Sequence, residues 1–264
     1  MNKFISTKQY KQFAEFCRAC ERDNYIGLCY GSAGAGKTES ARHYSKWYQV
    51  IKHFDGLIMN YKELPKFPTK NLNTILYTPS QLKSSKDILR EINVFKREFG
   101  LLKERGLYGS EIPFDVREKH HAKMIIIDES ERLKPESFEL IREMYDAGQA
   151  NFIFIGMPGI EKTMSRFPQL YSRIGFVHQF KNMGNQELKF ILENHLGKLN
   201  YNFKDDDYND QEVISTVLRI TNGNFRLVDR VIKQAIRIMK VNCMTTITKE
   251  IIEAARSCLL IGEK

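Results

Sequence analysis

Residues 25–38 read YIGLCYGSAGAGKT, and the reading of this stretch decides the fold. YIGLCY (25–30) is an unbroken apolar run, as expected of a strand buried on both faces. Gly31, Gly34 and Gly36 follow it. Glycine reaches backbone angles closed to other residues, so the chain here can curl with its N–H groups pointing inward. An amphipathic stretch begins at Lys37 and Thr38. Strand, glycine-rich turn and helix, in that order, make a cradle for phosphate.

Gly31 to Thr38 satisfy G-x-x-x-x-G-K-[ST], the P-loop pattern, with both its flanking elements in place. The loop residues Gly31, Ser32, Ala33, Gly34, Ala35 and Gly36 are expected to wrap the phosphates of ATP. Lys37 is placed to reach the β- and γ-phosphates, and the Thr38 hydroxyl to ligate Mg²⁺. A P-loop also needs a carboxylate for the metal. MIIIDE (124–129) supplies it, four apolar residues of a buried strand ending in Asp128 and Glu129. Asp128 is expected to hold Mg²⁺ and Glu129 to orient the attacking water. Acidic residues ending a strand are common; their pairing with the loop is what points to an ATPase.

Four runs read as buried parallel strands: 25–30, 74–77, 124–127 and 152–155, with 175–180 a weaker fifth. Helical patterns separate them, so the expected fold is α/β with a central parallel five-stranded sheet. The clearest helix starts at Pro135, carries Phe138, Ile141, Met144 and Tyr145 on one face and ends at Gly148. Beyond Phe180 no convincing strand follows. Asn185, Asn224 and Thr248 can each cap a helix, and the acidic loop KDDDYND (204–210) precedes another. The domain reading is therefore 1–180 for the α/β domain, with 1–24 an N-terminal helical segment, and 181–264 for a small all-helical domain.

The chain has 264 residues and a net charge of +9, from 41 Lys+Arg against 32 Asp+Glu. Excess positive charge favours polyanionic partners, because neutralising phosphates releases condensed counterions. No apolar run approaches the length of a bilayer span and the N-terminus lacks a signal-peptide core, so no membrane partner and a cytoplasmic location are expected. Five cysteines, at 17, 20, 29, 243 and 258, argue against a disulfide framework. Cys17-x-x-Cys20 lacks a second ligand pair for zinc and reads as two small residues on a helix face. Trp47 reads as a packing residue, His120 and His121 as a polar loop, and 52–70 as a long connection of no evident role.

These features together resemble the AAA+ superfamily, in which a P-loop domain is followed by a helical lid. GNFR (223–226) looks like the sensor-2 motif, which implies that Arg226 reaches the γ-phosphate. RFPQLYSRIG (166–175) resembles the segment carrying an arginine finger that acts on a neighbouring subunit's ATP. Arg173 is the first candidate and Arg166 the second, and either could instead form a surface ion pair. Within the superfamily the chain is most similar to the transposon ATPases of the TnsC, TniB and MuB type, through IIIDESERLKPESFELIREM (125–144) and FIFIGMPGIEK (152–162). That resemblance implies assembly on double-stranded DNA, as an ATP-dependent homo-oligomeric ring or helical filament, to select a target and recruit or activate a transposase. One position departs from the pattern: Met157 stands where sensor 1 usually carries a polar residue, which implies slow hydrolysis.

The family places DNA-tracking residues between the second strand and the acidic strand end. In 78–106 the candidates are Lys83, Lys86 and Lys103, with Ser84 and Ser85 as further contacts. Asp87, Glu91, Glu98 and Glu104 are interspersed, so a solvated charged helix is the alternative. A rival function is a replication or secretion accessory ATPase, helicase-loader-like or ExeA-like, acting mainly on a protein partner. Another is a nucleotide-switched signalling module that forms no polymer.

Overall fold

Where the sequence is apolar without interruption, the chain forms the buried strands of one sheet. The computed structural model describes residues 4–56, 58–59, 64–81, 83–110, 121–196 and 207–259. Backbone contacts divide the chain into two units, one of residues 12–31 and 37–179, the other of residues 1–11, 32–36 and 180–264.

The first unit is built on a five-stranded sheet. Its strands are β1 (Ile26–Gly31), β4 (Thr74–Tyr77), β5 (Met124–Ile127), β6 (Asn151–Gly156) and β7 (Ile174–Phe180), in the order β4-β5-β6-β1-β7. β4, β5, β6 and β1 pair in parallel, with Ile126 opposite Ile153 and Leu28 opposite Phe154. Every residue of β4, β5 and β6 is buried, which is why those segments carry no polar alternation. β7 lies at the sheet edge and its burial alternates residue by residue, so its apolar signal is weaker.

Between β1 and β4 lie α2 (Lys37–Tyr44), α3 (Trp47–Val50) and a short antiparallel ribbon, β2 (Phe54–Asp55) with β3 (Ile58–Met59). Lys46 takes a left-handed backbone (φ 53°), so Trp47 begins a new helix instead of continuing the one after the P-loop. Trp47 packs against Phe54 and Phe95, with ring centroids 6.4 and 6.0 Å apart. The segment read as a featureless connection therefore holds the ribbon, though residues 57 and 60–63 lie outside those described. α4 (Ser85–Tyr108) buries Ile88, Ile92, Phe95, Phe99 and Leu102. Ser84 caps it, accepting from the Asp87 N–H at 3.2 Å.

α5 (Pro135–Asp146) buries Phe138, Ile141 and Met144, with proline in its first turn. Short helices α6 (Ile160–Met164) and α7 (Pro168–Tyr171) lead into β7. α1 (Lys8–Asp23) turns Phe13, Ala14, Phe16, Cys17 and Cys20 inward. Cys17 and Cys20 are buried free thiols.

The second unit has its own core. α8 (Asn185–Leu196), α9 (Tyr208–Thr221), α10 (Phe225–Val241) and α11 (Lys249–Ser257) enclose Leu188, Leu192, Val217, Val231, Ile232 and Ile252, all fully buried. Burying one such side chain contributes about 1.5–3 kcal/mol. Asn224 caps α10 through the Leu227 N–H (3.3 Å) and Asp207 caps α9 through Asn209 (2.9 Å). Asn185 is the first residue of α8; Thr248 precedes α11 without a side-chain cap bond. α9 starts inside the acidic loop, at Tyr208, and 204–206 lie outside the described residues. Gly223 (φ 67°) is held where a Cβ would stand 2.3 Å from the Met183 carbonyl oxygen, so no larger residue fits there. Among the described residues, no helix is long and apolar enough to cross a membrane.

Candidate functional site

The end of β1 and the end of β5 bring the candidate metal-binding side chains together. Thr38, in the first turn of α2, donates from Oγ1 to Asp128 Oδ2 at 2.7 Å. A hydroxyl and a carboxylate at this separation form a hard oxygen donor set, the type magnesium takes. Burial holds the Asp128 carboxyl above the ordinary carboxylate range, offset in part by bonds from the Thr38 hydroxyl and the Glu129 N–H. A divalent cation would supply the positive charge that buried carboxylate lacks. The residues present therefore fit Mg²⁺.

Lys37 is buried and donates from Nζ to the Gly31 carbonyl at 2.6 Å. The ammonium is thereby held at the mouth of its own loop. Met157 Sδ lies 4.0 Å from Lys37 Nζ. The residue following β6 thus stands beside the P-loop lysine, and it is a thioether, a weak acceptor with no donor.

Glu129 has a left-handed backbone, φ 55°, and leads a 3₁₀ turn, Ser130–Arg132. A non-glycine residue there costs roughly 1 kcal/mol. The Ser130 hydroxyl holds the turn by donating to the Ile127 carbonyl at 2.7 Å. Arg132 ion-pairs with the Glu129 carboxylate and donates to the Pro79 carbonyl at 3.2 Å. Sequence reasoning missed this link, although the i,i+3 spacing in DESER was a usable signal.

In the second unit, three residues hold the glycine turn 32–36. The Asn224 side-chain amide donates to the Ala33 carbonyl at 2.6 Å, and the Arg226 N–H to the Gly34 carbonyl at 3.1 Å. Ser32 Oγ donates to Asn182 Oδ1 at 3.0 Å. Gly34 (φ 79°) lies so close that a Cβ would stand 2.6 Å from Asn224 Oδ1. Asn224 was read only as a helix cap; its amide does both jobs. The Arg226 side chain is exposed and makes no hydrogen bond or ion pair among the described residues.

A family model described as AAA domain matches residues 20–164, more than half of the chain. The chain belongs to the AAA ATPase family. Its architecture is that of an enzyme that binds and hydrolyses ATP. A Staphylococcus aureus protein named "Potential ATP-binding protein" is 40% identical over 280 residues, spanning 98% of this chain and 97% of that one. Among solved structures, the RuvB Holliday junction branch migration motor of Thermotoga maritima matches with a TM-score of 0.60 at 17% identity, over 96% of this chain and 69% of that one. The ORC2 protein of Aeropyrum pernix, in ADPNP and ADP complexes, matches at 0.58 and 15%, over 97% and 68%. These two likenesses are of fold.

The remaining candidates of the ATPase are dispersed. Arg173 is bound bidentately to Asp146, Nε–Oδ1 2.8 Å and Nη2–Oδ2 2.9 Å, and that pairing raises its pKa and lowers that of Asp146. Arg166 is exposed, with no partner among the described residues. Lys83 is ion-paired with Glu91. Lys86 is exposed and without a partner among the described residues. Lys103 corrects the surface reading. It is 8% exposed and donates to Asn73 Oδ1 at 3.0 Å, because its position in α4 faces the interior beside Leu102. Burial lowers its pKa, with Lys123 adding repulsion. Ser84 serves as the helix cap and Ser85 accepts from the Ser137 hydroxyl at 2.9 Å. His121 is exposed; His120 lies outside the described residues.

Proposed function

We propose that this AAA ATPase is a transposition regulator of the TnsC, TniB and MuB type, assembling with ATP and Mg²⁺ on double-stranded DNA. The observation that carries the reading is the block DESERLKP (128–135). In it the two carboxylates that follow β5 lead straight into a 3₁₀ turn, and two residues later a proline starts the next helix. The fold shared with RuvB, a Holliday junction branch migration motor, is in keeping with work on DNA. The protein forms a ring or helical filament and engages a transposase from the cytoplasm, and residues 181–264 serve as its lid.

In this reading Lys37 and the N–H groups of the loop hold the β- and γ-phosphates. Thr38 and Asp128 hold Mg²⁺, which neutralises phosphate charge when bound. Glu129, oriented by Arg132, aligns a water with the γ-phosphorus; the oxygen–phosphorus bond to ADP breaks as the water's bond forms. Met157 adds no donor to this water, so turnover is slow. Arg173 completes the site of the next subunit once released from Asp146, with Arg166 the second candidate.

Negative-stain images test the assembly. Ordered rings or filaments should form with duplex DNA and a non-hydrolysable ATP analogue, and not without the analogue. Mixing Arg173→Ala with Glu129→Gln protein tests the shared site. Each alone should be nearly inactive, and the mixture should regain hydrolysis at interfaces pairing an intact Glu129 with an intact Arg173. No rescue at any ratio would remove Arg173 from the mechanism. A wild-type protein that ignores duplex DNA with ATP at low salt would leave the protein-partner ATPase as the better account.

A further inference from the structure

Helix α10 carries a row of cations, of which only the first, the sensor-2 candidate Arg226, has a place in the reading of the nucleotide site. Arg226, Arg230, Lys233, Arg237 and Lys240 recur at intervals of four and three residues, and all five are exposed. That spacing puts them in one line along the helix. From first to last the line runs about 21 Å, at 1.5 Å per residue. The opposite face, Val228, Val231, Ile232, Ala235 and Met239, is buried in the core of its unit, which fixes the row outward on a packed element.

The row differs from its neighbours in its lack of counter-charge. On α9 and α11 the cations are matched: Arg219 with Glu253, and Lys249 with Glu212 at 2.9 Å. On α10 the single carboxylate, Asp229, takes Lys233 at 2.5 Å. The side chains of Arg230, Arg237 and Lys240 have no hydrogen-bond or ion-pair partner among the described residues. Like charges in line repel one another, and an extended anion lying along them converts that repulsion into binding.

We infer that the α10 row is a docking face for the phosphate backbone of duplex DNA. The inference rests on the reading of the ATPase as a duplex-binding protein and adds a contact surface to it. The line spans about six base pairs at 3.4 Å each along one strand. Phe225 is the only aromatic residue of the helix and lies half-buried at its start, so no platform for unpaired bases accompanies the cations. Val241, the last residue of the helix, is its one exposed apolar residue, so no apolar strip borders the row as a membrane-surface helix would need. Contacts of this kind read no sequence and answer to salt.

The test uses full-length protein with a non-hydrolysable ATP analogue and labelled duplexes of unrelated sequence, titrated over a range of salt. Arg230→Ala/Arg237→Ala/Lys240→Ala should weaken every duplex alike, by at least about tenfold at low salt. It should also flatten log K against log salt by about 2.7 units, roughly 0.9 for each lost contact. Affinity for the analogue and the melting temperature should match wild type. An unchanged slope in the triple variant, with a flattened one in Lys86→Ala, would overturn the α10 face and leave the DNA reading standing. No duplex binding by the wild type would remove both. Loss of self-assembly by the triple variant in sedimentation without DNA would make the row a subunit contact and overturn the inference as well.

Discussion

Helices α4 and α10 are both rich in cations, and the structure uses them differently. α4 carries six lysines and arginines among four acidic residues; α10 carries five against one. On α4, Lys83 just before the helix pairs with Glu91, Arg90 with Asp87, Arg97 with Glu98, and Lys103 is inside on Asn73. Of the three lysines proposed from the sequence as phosphate contacts, Lys86 alone is both exposed and unpaired among the described residues. On α10 one of the five cations is paired among the described residues, Lys233 with Asp229. The number of basic residues in a segment therefore says little about its surface potential. What decides it is whether carboxylates lie one turn away and which face the core takes.

That contrast can be sharpened from the nucleotide outward. In the proposed mechanism Glu129→Gln keeps nucleotide and metal but removes the carboxylate assigned to orient water. Hydrolysis should fall by about 10²–10⁴-fold in a phosphate-release assay, with duplex complexes lasting longer than those of wild type. Complexes that dissociate faster would deny Glu129 that role. If Lys37 holds the phosphates as proposed, Lys37→Ala removes a charge-assisted contact and ATP affinity should drop by roughly a hundredfold. Duplex binding should drop with it. Undiminished DNA affinity in that variant would mean that α10 binds without assembly, and the two helices would have to be treated as independent surfaces.

A smaller effect separates the lysines of α4 from one another. Lys103→Ala deletes a buried, hydrogen-bonded ammonium stem, so it should lower stability by about 1–3 kcal/mol while leaving the salt slope of duplex binding unchanged. Lys86→Ala should do the reverse, with an unaltered melting temperature and a slope flatter by about 0.9. Equal behaviour in the two variants would dissolve the distinction drawn from burial. Arg173→Ala breaks a partly exposed bidentate pair with Asp146 and should lower the thermal unfolding temperature only slightly. A much larger loss would make Arg173 a structural residue first.

Much of this was legible in advance, for identifiable reasons. A strand buried on both faces must be apolar throughout, so 74–77 and 124–127 stand out in the sequence with the bounds they have in the sheet. Lys37, Thr38, Asp128 and Glu129 are local in two short motifs, and the sheet brings the motifs together through β1, β6 and β5. The two-residue strands of the β2–β3 ribbon are too short to show a period. The break at Lys46 comes from a left-handed lysine, where no glycine or proline announces it. Lys103 lies at a core-facing position of α4, which its residue type conceals. The second use of Asn224, on Ala33, joins residues 191 positions apart and had no local signature.

In the proposed function, ATP governs this protein's hold on duplex DNA through phosphate contacts. Anisotropy of a labelled duplex of arbitrary sequence, with wild-type protein and with or without a non-hydrolysable ATP analogue, measures it directly over a salt series. Binding is expected only with the analogue, equal for unrelated sequences, and falling steeply as salt rises. Binding that needs no nucleotide, or that is flat with salt, would contradict it.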